Sequence, residues 1–291
     1  MIRYFIIHYI GQYLFFFFLV PIAAKIYFSN FPINQKVGPI IIKSNSKFNT
    51  DNLPFLIAHF SDTHINSFNP NYGKNFEMCL NNSLLYQPDV YLHTGDTVDD
   101  FCSDTRPKYG YQCRNDFIEF DQIFRKYNKS FKISLGASGN HDMFVIYSFD
   151  SPNFNFLNTC KNLYDTPMNN YEEFLVSNYK VKVDDNFFIN FISLNPFSFP
   201  TTHPVFMYFA HTCQFFLDRL ESVVEQIPEN EKIIFYSHYP QSSFTSITNT
   251  IPSRKSTKGT RIKDLIERPN TIAFISGHNH PESQKIEHHG K

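Results

Sequence analysis

Tryptophan is absent from these 291 residues, glycine occurs only ten times, and the formal charge at pH 7 is -1. The near-neutral balance argues against a strongly basic protein that coats nucleic acid, since such a coat needs an excess of Lys and Arg against phosphate. It leaves a locally basic pocket open. Scarce glycine goes with abundant Asn, Lys, Ile and Phe, a compositional bias of the genome that carries no functional reading. No internal repeat is present. Cysteine is sparse and odd in number: Cys79, Cys102, Cys113, Cys160 and Cys213. Cys102 and Cys113 flank a loop rich in Pro, Gly and Tyr and could close it as a disulfide. At least one thiol then stays unpaired unless it bonds between chains. In place of Trp stand 34 Phe and 17 Tyr. That is enough apolar surface for the core of one α/β domain of about 230 to 250 residues plus a terminal segment.

Charge is also missing from the N-terminus. After Arg3 a nearly charge-free run extends from Tyr4 to Ala24, with the block Phe15-Phe16-Phe17-Phe18-Leu19-Val20 inside it. About 20 apolar residues are long enough to span a bilayer as a helix. Arg3 before the run and Ala23-Ala24 near its end also suit a signal peptide. Residues 1–28 are therefore expected to be a signal peptide or signal anchor, residues 29–53 a linker, and residues 54–291 the folded domain. In either case that domain would be lumenal or extracellular.

Beyond the linker, short apolar runs alternate with amphipathic ones. Strands are expected at residues 55–60, 90–93, 131–135, 187–194, 232–236 and 271–275, and helices at 75–86, 116–127 and 215–226. Residues 150–178, rich in Asn, Phe and Tyr with Pro152 and Pro167, give no clear assignment.

Five of the strands run straight into Asp, His or Asn beside small residues. The set is Asp62-x-His64, Gly95-Asp96-x-x-Asp99, Gly139-Asn140-His141-Asp142, an isolated His238, and Gly277-His278-x-His280. In an open α/β sheet, ligands collect at the carboxyl ends of the strands. Imidazole nitrogens and carboxylate oxygens suit ions such as Mn, Fe and Zn, and the absence of Cys argues against a thiolate-rich structural zinc site. Along an extended segment, the outer residues of Asp-x-His and His-x-His fall on one side and can face one ion. The glycines before Asp96, Asn140 and His278 permit sharp turns close to the ions. Taken alone, His238 would be a surface or satisfied histidine; its place at a strand end between two of the motifs makes it a ligand candidate. His59, His93, His203, His211, His288 and His289 read as structural or surface residues, and Asp100 as a solvated turn carboxylate.

In this order the five motifs resemble the calcineurin-like metallophosphoesterase family, over about residues 54 to 282. The resemblance implies an α/β fold of the four-layer α/β/β/α sandwich type, two mixed β-sheets flanked by helices. It implies a dinuclear centre of divalent or trivalent ions (Mn, Fe or Zn) that hydrolyses phosphate esters. Asp62, His64 and His280 would hold one ion, Asn140, His238 and His278 the other, and Asp96 would bridge both. Two ions about 3.5 to 4 Å apart can activate a bridging hydroxide for in-line attack on phosphorus. His141, outside the metals, would protonate the departing alkoxide. Asp142 would orient the His141 ring or merely cap a helix, and Asp99 would fix a ligand from the second rank. The implied partners are a phosphate-ester substrate and, through the N-terminal segment, a membrane, with no nucleic acid expected.

The stretches Ser61-Asp-Thr-His-Ile-Asn-Ser-Phe68, Thr94-Gly-Asp-Thr-Val-Asp99 and Gly139-Asn-His-Asp-Met-Phe144 are similar to the branch of that family containing transmembrane protein 62. That branch continues into a further β domain and membrane helices, whereas this chain closes at Lys291, soon after His280. The expectation is a fold truncated at its C-terminus, as a fragment or a shortened relative. A non-catalytic membrane-tethered binding module and a metal-dependent nuclease are the alternatives. All seven ligands and His141 are present, which favours the enzyme, and the near-neutral charge counts against the nuclease.

Overall fold

Most strands are short apolar runs, and the side chains on their two faces go to different cores. The computed structural model describes residues 55–66, 69–99, 114–143, 149–150, 154–196, 212–244 and 255–278. The first sheet has the order β1 (Ile57–Phe60), β2 (Val90–His93), β3 (Ile133–Gly136), all parallel. The second has the order β4 (Val176–Asp184), β5 (Phe187–Leu194), β6 (Lys232–Ser237), β7 (Thr271–Ser276). There β4 is antiparallel to β5, while β5, β6 and β7 run parallel.

Strand β2 shows how the layers arise. Val90 and Leu92 share a buried cluster with Leu135, Ile189, Phe191, Ile234 and Tyr236, which places their face of the first sheet against the second. Tyr91, between them, points the other way and joins Phe76, Phe120 and Phe124. Those rings come from α1 (Pro70–Leu84) and α2 (Arg114–Arg125). Across the molecule, Ile192 and Phe235 share a cluster with Phe216, Leu217 and Leu220 of α5 (Gln214–Glu225). The result is the expected four layers, helix, sheet, sheet, helix. The first sheet is wholly parallel among the described residues, so only the second is mixed. The short helices α3 (Asn155–Cys160) and α4 (Tyr171–Leu175) lead into β4, and α6 (Ile262–Ile266) leads into β7.

Each helix shows a local cause. In α1, Asn69 caps the first turn by accepting the Asn71 N–H and Pro70 occupies the first position, where a missing N–H costs nothing. The helix therefore begins at Pro70, about a turn before the expected residue 75. Phe117, Phe120 and Phe124 on α2 recur at intervals of three and four and are buried, and an Asp121–Arg125 pair supports the outer face.

The expected N-terminal segment (residues 1–28), the linker (29–53) and the Cys102–Cys113 disulfide lie outside the described residues. Cys79, Cys160 and Cys213 are free thiols. Among the described residues no helix is long and apolar enough to cross a membrane.

The helix-side core is a chain of aromatic rings. Phe120 stacks on Phe76 at 5.3 Å and on Phe124 at 5.9 Å, and Phe124 meets Tyr91 at 4.4 Å. Phe120→Ala would empty the centre of this stack. A loss of about 3 to 5 kcal/mol is expected in urea unfolding, against less than about 0.5 kcal/mol for Ile272→Ala at an exposed site. Equal small losses for the two would show that the stack is not a tight core.

Candidate metal centre

The expected site residues that are described converge. Asp62 and His64 follow β1, Asp96 follows β2, Asn140 and His141 follow β3, His238 follows β6, and His278 follows β7. The carboxyl ends of both sheets thus deliver to one place. His280 lies outside the described residues.

The turns that deliver these residues are strained. Among the described residues five non-glycine residues have positive φ, and four are Asp62 (53°), His64 (44°), Asp96 (52°) and His278 (70°); the fifth is Gln87 after α1. Each such backbone costs on the order of 1 to 3 kcal/mol and persists only where neighbours hold it. A ladder of backbone bonds does so: Asp62 N–H to Gly95 O at 2.9 Å, His64 N–H to Asp96 O at 3.1 Å and Ile65 N–H to Thr97 O at 3.0 Å. The His278 N–H donates to Asp62 Oδ2 at 3.1 Å and joins the loops of the two sheets. Gly95, at φ 91°, packs so closely that a β-carbon would strike the backbone of Gly139.

Asp96 is the common point. Its Oδ2 lies 3.2 Å from His238 Nε2, 3.7 Å from His64 Nε2 and 3.9 Å from His141 Nε2, and its Oδ1 accepts the His141 N–H at 2.9 Å. Two donor sets capable of holding an ion share it: His64, Asp96 and His141, and Asp96, His238 and His278. Burial raises the Asp96 carboxyl, but His238, His141 and His64 outweigh this and hold it well below the usual carboxylate range.

The second set fits a cation on chemical grounds. His238 Nδ1 lies 3.0 Å from Thr94 O, so the ring proton sits on Nδ1 and the Nε2 lone pair faces the site. Around that Nε2 stand Asp96 Oδ2, Asn140 Oδ1 at 2.9 Å and His278 Nδ1 at 2.9 Å. Lone pairs at such spacing need a proton or a cation between them. His238 is raised to about 9: burial pushes it down, but the carboxylates of Asp96, Asp62 and Asp142 together push it up by more. His141 behaves oppositely, and burial takes it down to about 4.

The two acidic neighbours have distinct surroundings. Asp99 Oδ1 lies 3.7 Å from His141 Nδ1, beside the ring. Asp142 is fully buried and accepts the N–H groups of Thr97 at 2.9 Å and Gly139 at 2.8 Å, so it fastens the Asp96 loop to the Asn140 loop. Burial and the nearby Asp96 raise its carboxyl to about 7 despite those bonds. His59 and His93, read from sequence as structural or surface residues, are structural ones, built into the floor of the site. His59 Nε2 meets Thr94 Oγ1 at 2.8 Å, and His93 Nδ1 accepts the Gly95 N–H at 3.1 Å. The His93-Thr94-Gly95-Asp96 spacing was the only sequence signal for them.

An α/β/β/α sandwich whose strand ends bring together two Asp/His donor sets sharing one carboxylate defines a class of metal-binding hydrolases. The family model for calcineurin-like phosphoesterase matches residues 55–282, and the chain belongs to that family. Among solved structures the chain is similar to a dimetal phosphatase from Danio rerio. The two are 12% identical, the match covers 78% of this chain and 82% of that one, and the TM-score is 0.46. A search of curated proteins finds no match.

Burial holds His59 down at about 4 from its ordinary 6.5. Below pH 6.5 the unfolded chain binds a proton that the folded one resists, so stability falls as pH falls from 6.5 towards 4. His59→Gln keeps a donor for Thr94 without the titration. Between pH 7.5 and 4.5 the metal-free wild type should lose about 2 kcal/mol more than this variant in urea unfolding, a figure trimmed because His59 keeps some solvent contact. Parallel pH profiles would sink this assignment.

Proposed function

We propose that this protein is a dinuclear-metal phosphoesterase carried at a membrane or in the secretory pathway, of the branch containing transmembrane protein 62. In this reading Asp62, His64 and His280 hold one ion, Asn140, His238 and His278 the other, and Asp96 serves both. The observation that supports it most is the shared position of Asp96, 3.2 Å from His238 Nε2 and 3.7 Å from His64 Nε2. Mn, Fe or Zn bound there would supply Lewis acidity towards phosphoryl oxygens and would lower the pKa of water.

The protein groups do the rest. His141 stands edge-on to His64 with ring centroids 4.6 Å apart, which fixes its plane. Burial disfavours its charged form, and an anionic phosphate at Nε2 together with Asp99 at Nδ1 would favour the imidazolium. His141 can then release a proton to the leaving alkoxide. Asp142 keeps the loops of Asp96 and His141 together through Thr97 and Gly139, so ligand and proton donor hold one spacing.

Protein loaded with Mn should hydrolyse a generic aryl phosphate mono- or diester. Asp96→Asn should abolish turnover, and His141→Ala should lower kcat by about 10² to 10⁴ with metal content unchanged. If wild-type protein bound two Mn ions and turned over no member of a panel of monoesters, diesters, nucleotides and phospholipids, the site would be a binding module.

The membrane part of the proposal rests on the apolar run from Tyr4 to Ala24. It places the hydrolase domain on the lumenal or extracellular side. In sealed vesicles the domain should resist added protease until detergent is present; digestion from the cytosolic side would overturn the topology.

A further inference from the structure

His93 belongs to no ligand motif, yet it closes β2 directly beneath the site and is fully buried. Its ring is set among Phe76, Tyr91 and Phe120, with centroids 6.4, 6.2 and 5.7 Å away. Both nitrogens are engaged. Nδ1 accepts the Gly95 N–H at 3.1 Å, so this nitrogen is bare and the ring proton is on Nε2. Nε2 lies 3.3 Å from Thr63 Oγ1. That hydroxyl has one proton, which goes to Thr97 O at 2.9 Å, so it accepts the His93 Nε2–H. The imidazole therefore links two loops. Thr63 sits between Asp62 and His64, and Gly95 immediately precedes Asp96.

These are the loops with strained backbone at Asp62, His64, Gly95 and Asp96. The Gly95 turn has no side chain of its own to hold it, and His93 Nδ1 supplies the missing acceptor. The geometry points to His93 as a positioning residue for the metal centre, acting through the Gly95 N–H and the Thr63 hydroxyl to set Asp62, His64 and Asp96. This rests on the metal-centre reading above. Its particular content is that Nδ1, the atom facing the Gly95 amide, is the one that acts.

Two substitutions separate the nitrogens. In His93→Asn the side-chain oxygen takes the place of Nδ1 and can accept the Gly95 N–H. In His93→Gln the amide nitrogen takes the place of Nε2 and reaches only Thr63. Mn binding to the 291-residue chain is measured by calorimetric titration, with thermal unfolding and Gly95 amide exchange followed in metal-free protein. The expected result is Mn affinity about 10- to 100-fold weaker in His93→Gln, with faster Gly95 exchange. In His93→Asn the affinity stays within a few-fold of wild type, although both variants shift the unfolding midpoint by similar amounts.

Equal affinity loss in the two variants, or loss that simply tracks the unfolding midpoint, would reduce His93 to a packing residue and overturn the proposal. Wild type that binds two Mn ions beside a His93→Gln variant of unchanged affinity would overturn it alone. Wild type that binds no Mn would overturn the metal-centre reading and this inference with it.

Discussion

Asp96 is 2 % exposed, and a carboxylate so buried is tolerated only if other groups meet its charge, because bare desolvation costs several kcal/mol. The groups that meet it come from both halves of the molecule. His64 and His141 arrive from the first sheet and His238 from the second. Satisfying one carboxylate thus requires the carboxyl ends of β1, β2, β3 and β6 to share one edge. Parallel pairing within each sheet provides that. It also commits the connections between parallel neighbours to crossovers, the β4–β5 hairpin apart, and helices in those crossovers cover the outer faces.

Bringing so many groups to one point uses backbone that resists the job. Left-handed conformations at Asp62, His64, Asp96 and His278 are kept by bonds that run between loops, not within them. Asp142 holds Thr97 to Gly139, Asp62 holds the His278 amide, and His93 holds Gly95 to Thr63. Such a network is coupled, and its members are not additive. The aromatic core beneath offers the counterweight, because Phe124 packs on Tyr91 of β2 and Phe120 on His93, which ends that strand.

The sequence was most legible where one physical signal acted alone. Strands β2 and β5 match their expected ends because Val90-Tyr-Leu-His93 and residues 187–194 are apolar runs bounded by turn residues. The ligand loops were legible because Asp, His and Asn stood at the ends of such runs. Strand β4 was not. Its pairing with β5 uses the Ser177–Ser193 hydroxyls at 2.7 Å and the Asn178–Asn190 amides at 2.9 Å, polar contacts that no hydrophobic period reports. Helix α6 has five residues, too few for a helical period to stand out. His93 was hidden for another reason. Its importance lies in the Gly95 amide it accepts, and a side chain bonded to a backbone group two residues on leaves no motif across the chain.

The contrast between His141 and His238 shows how a single carboxylate can assign different work to one residue type. Both rings are buried and both lose hydration, which disfavours their charged forms. His238 faces Asp96 at 3.2 Å, with Nδ1 already donating to Thr94 O, and is raised to about 9. His141 faces the same oxygen at 3.9 Å and is lowered to about 4. The gap between 3.2 and 3.9 Å would not do this in water. The hydrogen bond to Asp96, with the Asp62 and Asp142 carboxylates beside it, raises His238, whereas the neighbouring His64 and His238 rings oppose charging of His141. Nε2 of His238 therefore sits where positive charge is most strongly demanded, and an ion can take the place of the proton there. The His141 ring lies where burial disfavours its charged form. The site's own electrostatics thus support reading the first as a ligand and the second as the proton carrier, before any substrate is considered.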